Sequence, residues 1–372
     1  MKKILICFGT RPEAIKMASL VHEIKKSEKL IVEVCVTAQH REMLDQVLDF
    51  FEIIPDYDLD IMQKDQSLNK LSGRIFIGID EILNKVKPDI VLVHGDTTTS
   101  SVCAWAAFHK GIKVGHIEAG LRTFDKNSPF PEEVNRQITG RIADFHFAPT
   151  KISAQNLLNE KISVDNILVT GNTVIDSLLW TKSKIENNFE NKSIAVLRQK
   201  IDFSKKVILV TGHRRENFGD GFQNICKALV EIAKDPAVEI VYPVHLNPNV
   251  QKPVESLLSG ISNIHLVTPM DYSTFVWMMN QAYFIITDSG GVQEEAPSLG
   301  KPVLVMRNIT ERPEAVEAGT VILVGTDTKT IIESARMLLN NHDKYHQMKQ
   351  SHNPYGDGKA SVKIRAFLES NL

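Results

Sequence analysis

The chain reads as an α/β protein of two doubly wound, Rossmann-like parallel domains. Three observations predict this. Short apolar runs alternate with longer amphipathic runs from end to end, the pattern of βαβ units. The short runs are apolar on both faces, as strands buried inside a parallel sheet must be. The alternation pauses at a polar helical stretch, Lys182 to Lys200, and then restarts, so the 372 residues fall into two halves of ordinary domain size.

In the first half the apolar runs predict strands at Ile4–Cys7, Val32–Thr37, Ile90–His94, Val114–Glu118 and Phe145–Ala148. Helical periodicity predicts helices over 12–27, 40–51, 67–87, 98–110, 132–142 and 151–160. In the second half strands are expected at Val207–Thr211, Ile240–Pro243, Ile264–Val267, Phe284–Thr287, Val303–Met306 and Val321–Val324. Asn353-Pro354-Tyr355-Gly356-Asp357-Gly358 breaks the last helical region. The expected domains are 1–175, joined by a helix over 359–372 that crosses back, and 176–358. Ligands of such sheets bind beyond the strands' carboxyl ends, so facing domains are expected to hold a cleft between those ends.

Composition excludes several function classes. With 43% hydrophobic and 24% charged residues and a net charge of -2, nothing draws the chain to nucleic acid or an anionic membrane. The basic-then-apolar start is broken at Gly9-Thr10-Arg11-Pro12-Glu13, too early for a secretory signal, and no run reaches the length of a membrane span. The four cysteines lie far apart in apolar segments, with no Cys-x-x-Cys and no zinc spacing. They read as buried thiols of a reducing cytoplasm, and no metal site is expected.

Three carboxylates sit just past consecutive strands: Asp96 in Val93-His94-Gly95-Asp96, Glu118 in His116-Ile117-Glu118, and Glu132 in Phe130-Pro131-Glu132. Singly, Asp96 and Glu132 also suit helix starts. Grouped at one crevice, the three suit proton transfer on two sides of a substrate. Phe8-Gly9-Thr10-Arg11 follows the first strand but lacks the dinucleotide fingerprint Gly-x-Gly-x-x-Gly. Arg11 stands beside a helix start that favours anions, with Lys16 one turn on. Ser289-Gly290-Gly291 follows a strand of the second domain, where two glycines let backbone N–H groups approach a diphosphate. Glu295, one turn further, is placed to accept from ribose hydroxyls. His213, in Thr211-Gly212-His213-Arg214-Arg215-Glu216, is placed to donate to a phosphate. Arg214 and Arg215 are ranked below it as ion-pair partners.

These motifs, with Asp288-Ser289-Gly290-Gly291 and Asn353-Pro354-Tyr355-Gly356-Asp357-Gly358, resemble those of the bacterial non-hydrolysing UDP-N-acetylglucosamine 2-epimerases. The resemblance runs in order from about residue 3 to about residue 368. It implies the glycosyltransferase-B fold, a homodimer, no cofactor, and interconversion of UDP-N-acetylglucosamine and UDP-N-acetylmannosamine. It implies loss of the C2 proton with departure of UDP, a 2-acetamidoglucal intermediate, and return of both on the other face. Carried over by motif, Asp96, Glu118 and Glu132 are the acid/base candidates, with their faces unassigned. Arg11, Lys16, Arg136 and His213 would hold the pyrophosphate and its growing charge. Ser289, Gly290, Gly291 and Glu295 would hold phosphate and ribose, Phe275 would pack on uracil, and Arg312 would stand at the cleft. Gln39, His40, Glu42 and Met43 lie in a stretch that family members use for a regulatory nucleotide-sugar, although by spacing alone they merely open a helix. Glu42 and Asp65 add negative charge there compared with regulated relatives. Rival readings are a hydrolysing epimerase, a glycosyltransferase of the same fold, and a silent nucleotide-sugar sensor.

Overall fold

Strands form where Val, Ile and Leu cluster, and both sheets bury those side chains on two faces. All five residues of Ile90–His94 are buried, as are Ile4 to Phe8. The structure, a computed structural model, describes all residues except 39, 40, 64, 65, 188 and 311. Those residues fall into two units, Met1–Trp180 with Tyr355–Leu372, and Thr181–Pro354.

The first unit runs β1 (Lys2–Phe8), α1 (Arg11–Ile24), β2 (Leu30–Val36), α2 (Arg41–Phe50), β3 (Tyr57–Asp58), α3 (Leu68–Val86), β4 (Ile90–His94), α4 (Thr98–His109), β5 (Lys113–Ile117), α5 (Glu132–Ile142), β6 (Phe145–Ala148), α6 (Lys151–Asn159) and β7 (Ile167–Val169). The boundary between units falls inside α7 (Thr173–Glu186). The second unit continues with α8 (Lys192–Lys200), β8 (Lys206–Thr211), α9 (Asp220–Ile232), β9 (Val238–Pro243), α10 (Pro248–Leu258), β10 (Ile264–Val267), α11 (Tyr272–Gln281), β11 (Phe284–Thr287), α12 (Gly290–Glu295), β12 (Val303–Val305), α13 (Pro313–Glu317), β13 (Val321–Leu323), α14 (Thr328–Asn340) and α15 (His342–Gln350). The last helix, α16 (Ala360–Asn371), belongs to the first unit. Its first two backbone N–H groups donate to Asp176 at 3.2 and 2.8 Å, and Ser361 Oγ meets Ser19 Oγ of α1 at 3.0 Å.

Both sheets are parallel. Their orders are β3-β2-β1-β4-β5-β6-β7 and β10-β9-β8-β11-β12-β13. Each order reverses once, between β1 and β4 and between β8 and β11. In an open parallel sheet that reversal opens the crevice where ligands sit. It singles out the turns after those four strands, which hold Arg11, Asp96, His213 and Ser289.

Two strands were not foreseen, β3 and β7. They are two and three residues long and lie at the sheet edges, too short for a periodicity to register. One placement is corrected. The three carboxylates do not follow three strands: Asp96 follows β4, Glu118 follows β5, and Glu132 opens α5 at the far end of the same β5–α5 loop.

Candidate active site

In the first unit the crevice is braced by a buried carboxylate. Thr10 caps α1, and Glu13 three residues later completes a capping box. Glu13 Oε2 accepts from the backbone N–H groups of Gly9 at 3.0 Å and Thr10 at 2.8 Å. Its Oε1 accepts from Thr97 Oγ1 at 2.7 Å, in the turn after β4, and from Ser100 Oγ at 3.2 Å, in the first turn of α4. Burial pushes the Glu13 carboxyl above its ordinary value, against the pull of the Thr97 hydroxyl and the Gly9 amide. One side chain thus ties together the two turns that flank the sheet reversal.

Glu118 takes a left-handed backbone, with φ of 62°, which a residue with a Cβ adopts at a cost of about 1 kcal/mol. Its carboxylate is almost fully buried. Oε1 accepts from the Lys16 ammonium and from Asn172 Nδ2, the latter at 2.8 Å. Oε2 lies 3.7 Å from His94 Nε2. Asp96 pairs with the Arg136 guanidinium, and its backbone carbonyl accepts from Asn135 Nδ2 at 3.0 Å. Arg136 also donates to Glu133 Oε2 at 3.2 Å. Glu133, fully buried, accepts from the N–H groups of Thr123 and Phe124 at 3.0 and 3.1 Å and so shapes the β5–α5 loop. Glu132 is half-buried at the first position of α5. Arg11 is half-buried at the start of α1.

The second unit repeats the device with the roles of its turns exchanged. Asp288, fully buried after β11, accepts through Oδ2 from the N–H groups of His213 at 2.9 Å and Arg214 at 2.8 Å, after β8. Asn217 Nδ2 adds a third donor at 3.2 Å. The His213 ring is 46% exposed and stacks on His245 at 5.4 Å between centroids. Partial burial lowers its pKa, with Asp288 pulling the other way and His245 adding to the depression. Ser289 caps α12 and donates its N–H to Thr287 Oγ1 at 3.0 Å. Arg312 pairs with buried Glu294. Tyr272 O–H donates to Glu295 Oε2 at 3.3 Å, and Phe275 is half-buried one turn along α11 from Tyr272.

Neither glycine of this turn is demanded by the chain itself. Gly290 and Gly291 have no positive φ. A Cβ at Gly290 would meet nothing nearer than the Arg214 and Arg312 guanidinium nitrogens at 3.9 Å, and one at Gly291 nothing nearer than Glu295 Oε1 at 3.5 Å. The open space above them is flanked by two arginines. Arg214, ranked low in the sequence, therefore joins Arg312 at this turn. Glu42 and Met43 are exposed in the first turn of α2, while Gln39, His40 and Asp65 lie outside the described residues.

Residues 22–369 match the family described as UDP-N-acetylglucosamine 2-epimerase. The chain belongs to that family. Proteins named UDP-N-acetylglucosamine 2-epimerase from Yersinia pestis and from Escherichia coli K12 are 57% and 56% identical to it, each alignment covering 99% of both chains. The crystal structure of a UDP-GlcNAc 2-epimerase from Neisseria meningitidis bound to UDP-GlcNAc superposes with a TM-score of 0.91 at 52% identity, over 99% of this chain and 100% of that one. A Methanocaldococcus jannaschii UDP-GlcNAc 2-epimerase in complex with UDP-GlcNAc and UDP gives 0.80 at 34% identity, over 100% of both chains. Two parallel Rossmann-like sheets are therefore shared with epimerases across this range of identity. All four cysteines are buried and free. Among the described residues, no helix is long and apolar enough to cross a membrane, and no group of three or more His, Cys, Asp or Glu is placed to hold a metal ion.

Proposed function

We propose that the chain interconverts UDP-N-acetylglucosamine and UDP-N-acetylmannosamine by reversible loss of UDP and of the C2 proton. The observation that carries this reading is the set of carboxylates on the first unit. Glu118 is held by Lys16 and Asn172, Asp96 is held by Arg136, and Glu132 opens the neighbouring helix. Inversion at C2 needs proton carriers on two faces of the sugar, and more than one carboxylate supplies them. A glycosyltransferase of the same fold would need an acceptor site and only one such group. On the second unit, Ser289, Gly290 and Gly291 leave room for a diphosphate between Arg214 and Arg312, and His213 stands at the same turn. Arg11 and Lys16 add positive charge on the first unit. Glu295 takes the ribose hydroxyls and Phe275 packs against the base.

Proton NMR of UDP-N-acetylglucosamine with the protein in D2O tests this. The expected product is UDP-N-acetylmannosamine with one deuterium at C2, at equilibrium with its epimer. Free N-acetylmannosamine as the end product would instead assign the hydrolysing reaction. Epimerised product with no deuterium would remove proton transfer at C2 from the mechanism.

We also infer a homodimer. Phe76 and Trp105 pack edge to face at 5.7 Å on α3 and α4, His109 lies 5.8 Å from Trp105, and Ile77 and Phe108 are exposed beside them. Exposed apolar side chains on two packed helices suit burial against a second copy.

A further inference from the structure

The turn that carries His213 is built by one oxygen of Asp288, and the other oxygen faces the His213 ring. A role for that second oxygen rests on the proposed reading of His213 as the group that meets the departing phosphate. Asp288 Oδ2 accepts from the N–H groups of His213 and Arg214 and from Asn217 Nδ2. Oδ1 is buried and, among the described residues, has no hydrogen-bond partner, an arrangement that costs free energy and calls for an explanation. It lies 3.6 Å from His213 Nδ1. The acid is fully buried and the ring is 46% exposed. With Nδ1 turned to the acid, Nε2 is the nitrogen left for a ligand.

Three further groups surround this pair. His245 stacks on His213 with the ring planes 16° apart. Its Nδ1 accepts the Asn247 N–H at 3.0 Å, so its own proton belongs on Nε2. Arg214 brings a positive charge. Burial lowers the His213 pKa most, Asp288 opposes that, and His245 and Arg214 add to it. The third group is the Tyr242 phenol, fully buried, whose oxygen would stand 3.2 Å from a Cβ at Gly212. Burial pushes its pKa well above the ordinary value, with the Asp288 charge adding to the shift, so it stays a neutral hydroxyl. Asp288 is thus the negative charge among these groups, and the ring of the ligand-free protein is neutral near neutral pH.

At 3.6 Å the Asp288–His213 contact falls short of a hydrogen bond, and roughly 0.7 Å of ring movement closes it. A carboxylate oxygen offers only lone pairs. It therefore draws the single proton of the neutral ring to Nδ1 and leaves a lone pair on Nε2, which repels a phosphate oxygen. Only by taking up a second proton does the ring become a donor at Nε2. The imidazolium so formed has a carboxylate on one nitrogen and a phosphate on the other, and such charge-assisted hydrogen bonds are about twice as strong as neutral ones.

We propose that Asp288 is a positioning residue, which holds one His213 proton on Nδ1 and favours a second on Nε2 once a diphosphate binds. The second proton comes from solvent. When the C1–O bond of the nucleotide-sugar breaks, the oxygen keeps the bonding pair, and Nε2–H donates to the phosphate that gains the charge. No proton leaves the ring in that step, so the same imidazolium serves the return of UDP.

The 15N-histidine spectrum of the whole protein tests this. Without nucleotide and above the His213 titration, Nδ1 should give the protonated signal and Nε2 the bare one. With saturating UDP near neutral pH, both should give the protonated signal. In Asp288→Asn the amide oxygen should keep the three donors of the turn and leave its NH2 facing Nδ1. The ring proton should then move to Nε2, so that the two signals exchange. The His213 titration should move to lower pH, because the cation has lost its counter-charge. The kcat of this variant should fall about ten-fold, the difference between a charged and a neutral donor, with KM for UDP-N-acetylglucosamine changed much less. A proton on Nε2 of the nucleotide-free wild type, a neutral ring in the UDP complex, or an unshifted titration in Asp288→Asn overturns the proposal. The first two need no variant, so they decide even where Asp288→Asn does not fold. A protein that binds UDP and forms no epimer would overturn the epimerase reading and leave these ring signals as they are, which separates the two failures.

Discussion

Asp96, Glu118 and Glu132 are chemically alike and sit in three different settings. Asp96 faces a guanidinium, Glu118 an ammonium and an amide, and Glu132 is half-buried where α5 begins. Carboxylates held by different partners can take different parts on the two faces of one sugar. Asp96→Asn, Glu118→Gln and Glu132→Gln are each expected to lower kcat by about 10²–10⁴-fold, the usual size of a lost general acid or base. UDP affinity, measured by calorimetry, should change far less. Two of the three variants turning over near the wild-type rate would refute the assignment.

At the scale of elements, each sheet reversal is pinned by a buried acid. Glu13 lies in the first turn of α1, just after β1, and reaches the turn after β4. Asp288 belongs to the turn after β11 and reaches the turn after β8. Backbone N–H groups at helix starts have no partners within the helix, and a carboxylate that accepts several of them fixes the turn. Glu13→Ala would take this acceptor away from the buried donors and from the hydroxyls of Thr10, Thr97 and Ser100. It is expected to destabilise the fold by about 3 kcal/mol, read as a lowered urea midpoint with an unchanged slope. A midpoint within error of wild type would show that water or repacking replaces the carboxylate.

For the whole molecule, acid stability follows from three buried histidines on adjacent strands. Burial holds His94 and His146 down to about 4 and His116 to about 3, against an ordinary value of 6.5. An unfolded chain protonates them near the ordinary value, and the folded chain only well below it. The unfolded state therefore binds more protons between those limits, so stability falls as pH drops through about 6.5 toward 4 and is retained above that window. Each pH unit between the folded and unfolded values corresponds to about 1.4 kcal/mol. Urea midpoints taken across this range should fall with acidification, and replacing His146 with a neutral residue that fits its site should flatten the slope. Association is tested separately. Trp105→Glu with Phe108→Glu should shift sedimentation from dimer to monomer, while a wild-type monomer would remove the dimer from the account.

The sequence by itself determined the alternation of strands and helices, because buried parallel strands must be apolar on both faces and that pattern survives in one dimension. It placed Asp96, Glu118, Ser289 and His213 at strand ends for the same reason, since each follows directly on a legible apolar run. It could not show that Asn172 reaches Glu118, that Asp288 builds the His213 turn, or that Arg214 stands with Arg312 at Gly290. Those pairs lie dozens of residues apart, and no local period encodes them. Nor could spacing reveal the left-handed backbone at Glu118 or the unpartnered nitrogen of His94. Both arise only where β4 and β5 end side by side. Tertiary structure decided that Asp96 meets Arg136, Glu118 meets Lys16 and Asp288 meets the His213 turn, because desolvation and hydrogen bonding depend on neighbours in space and not on neighbours in the chain.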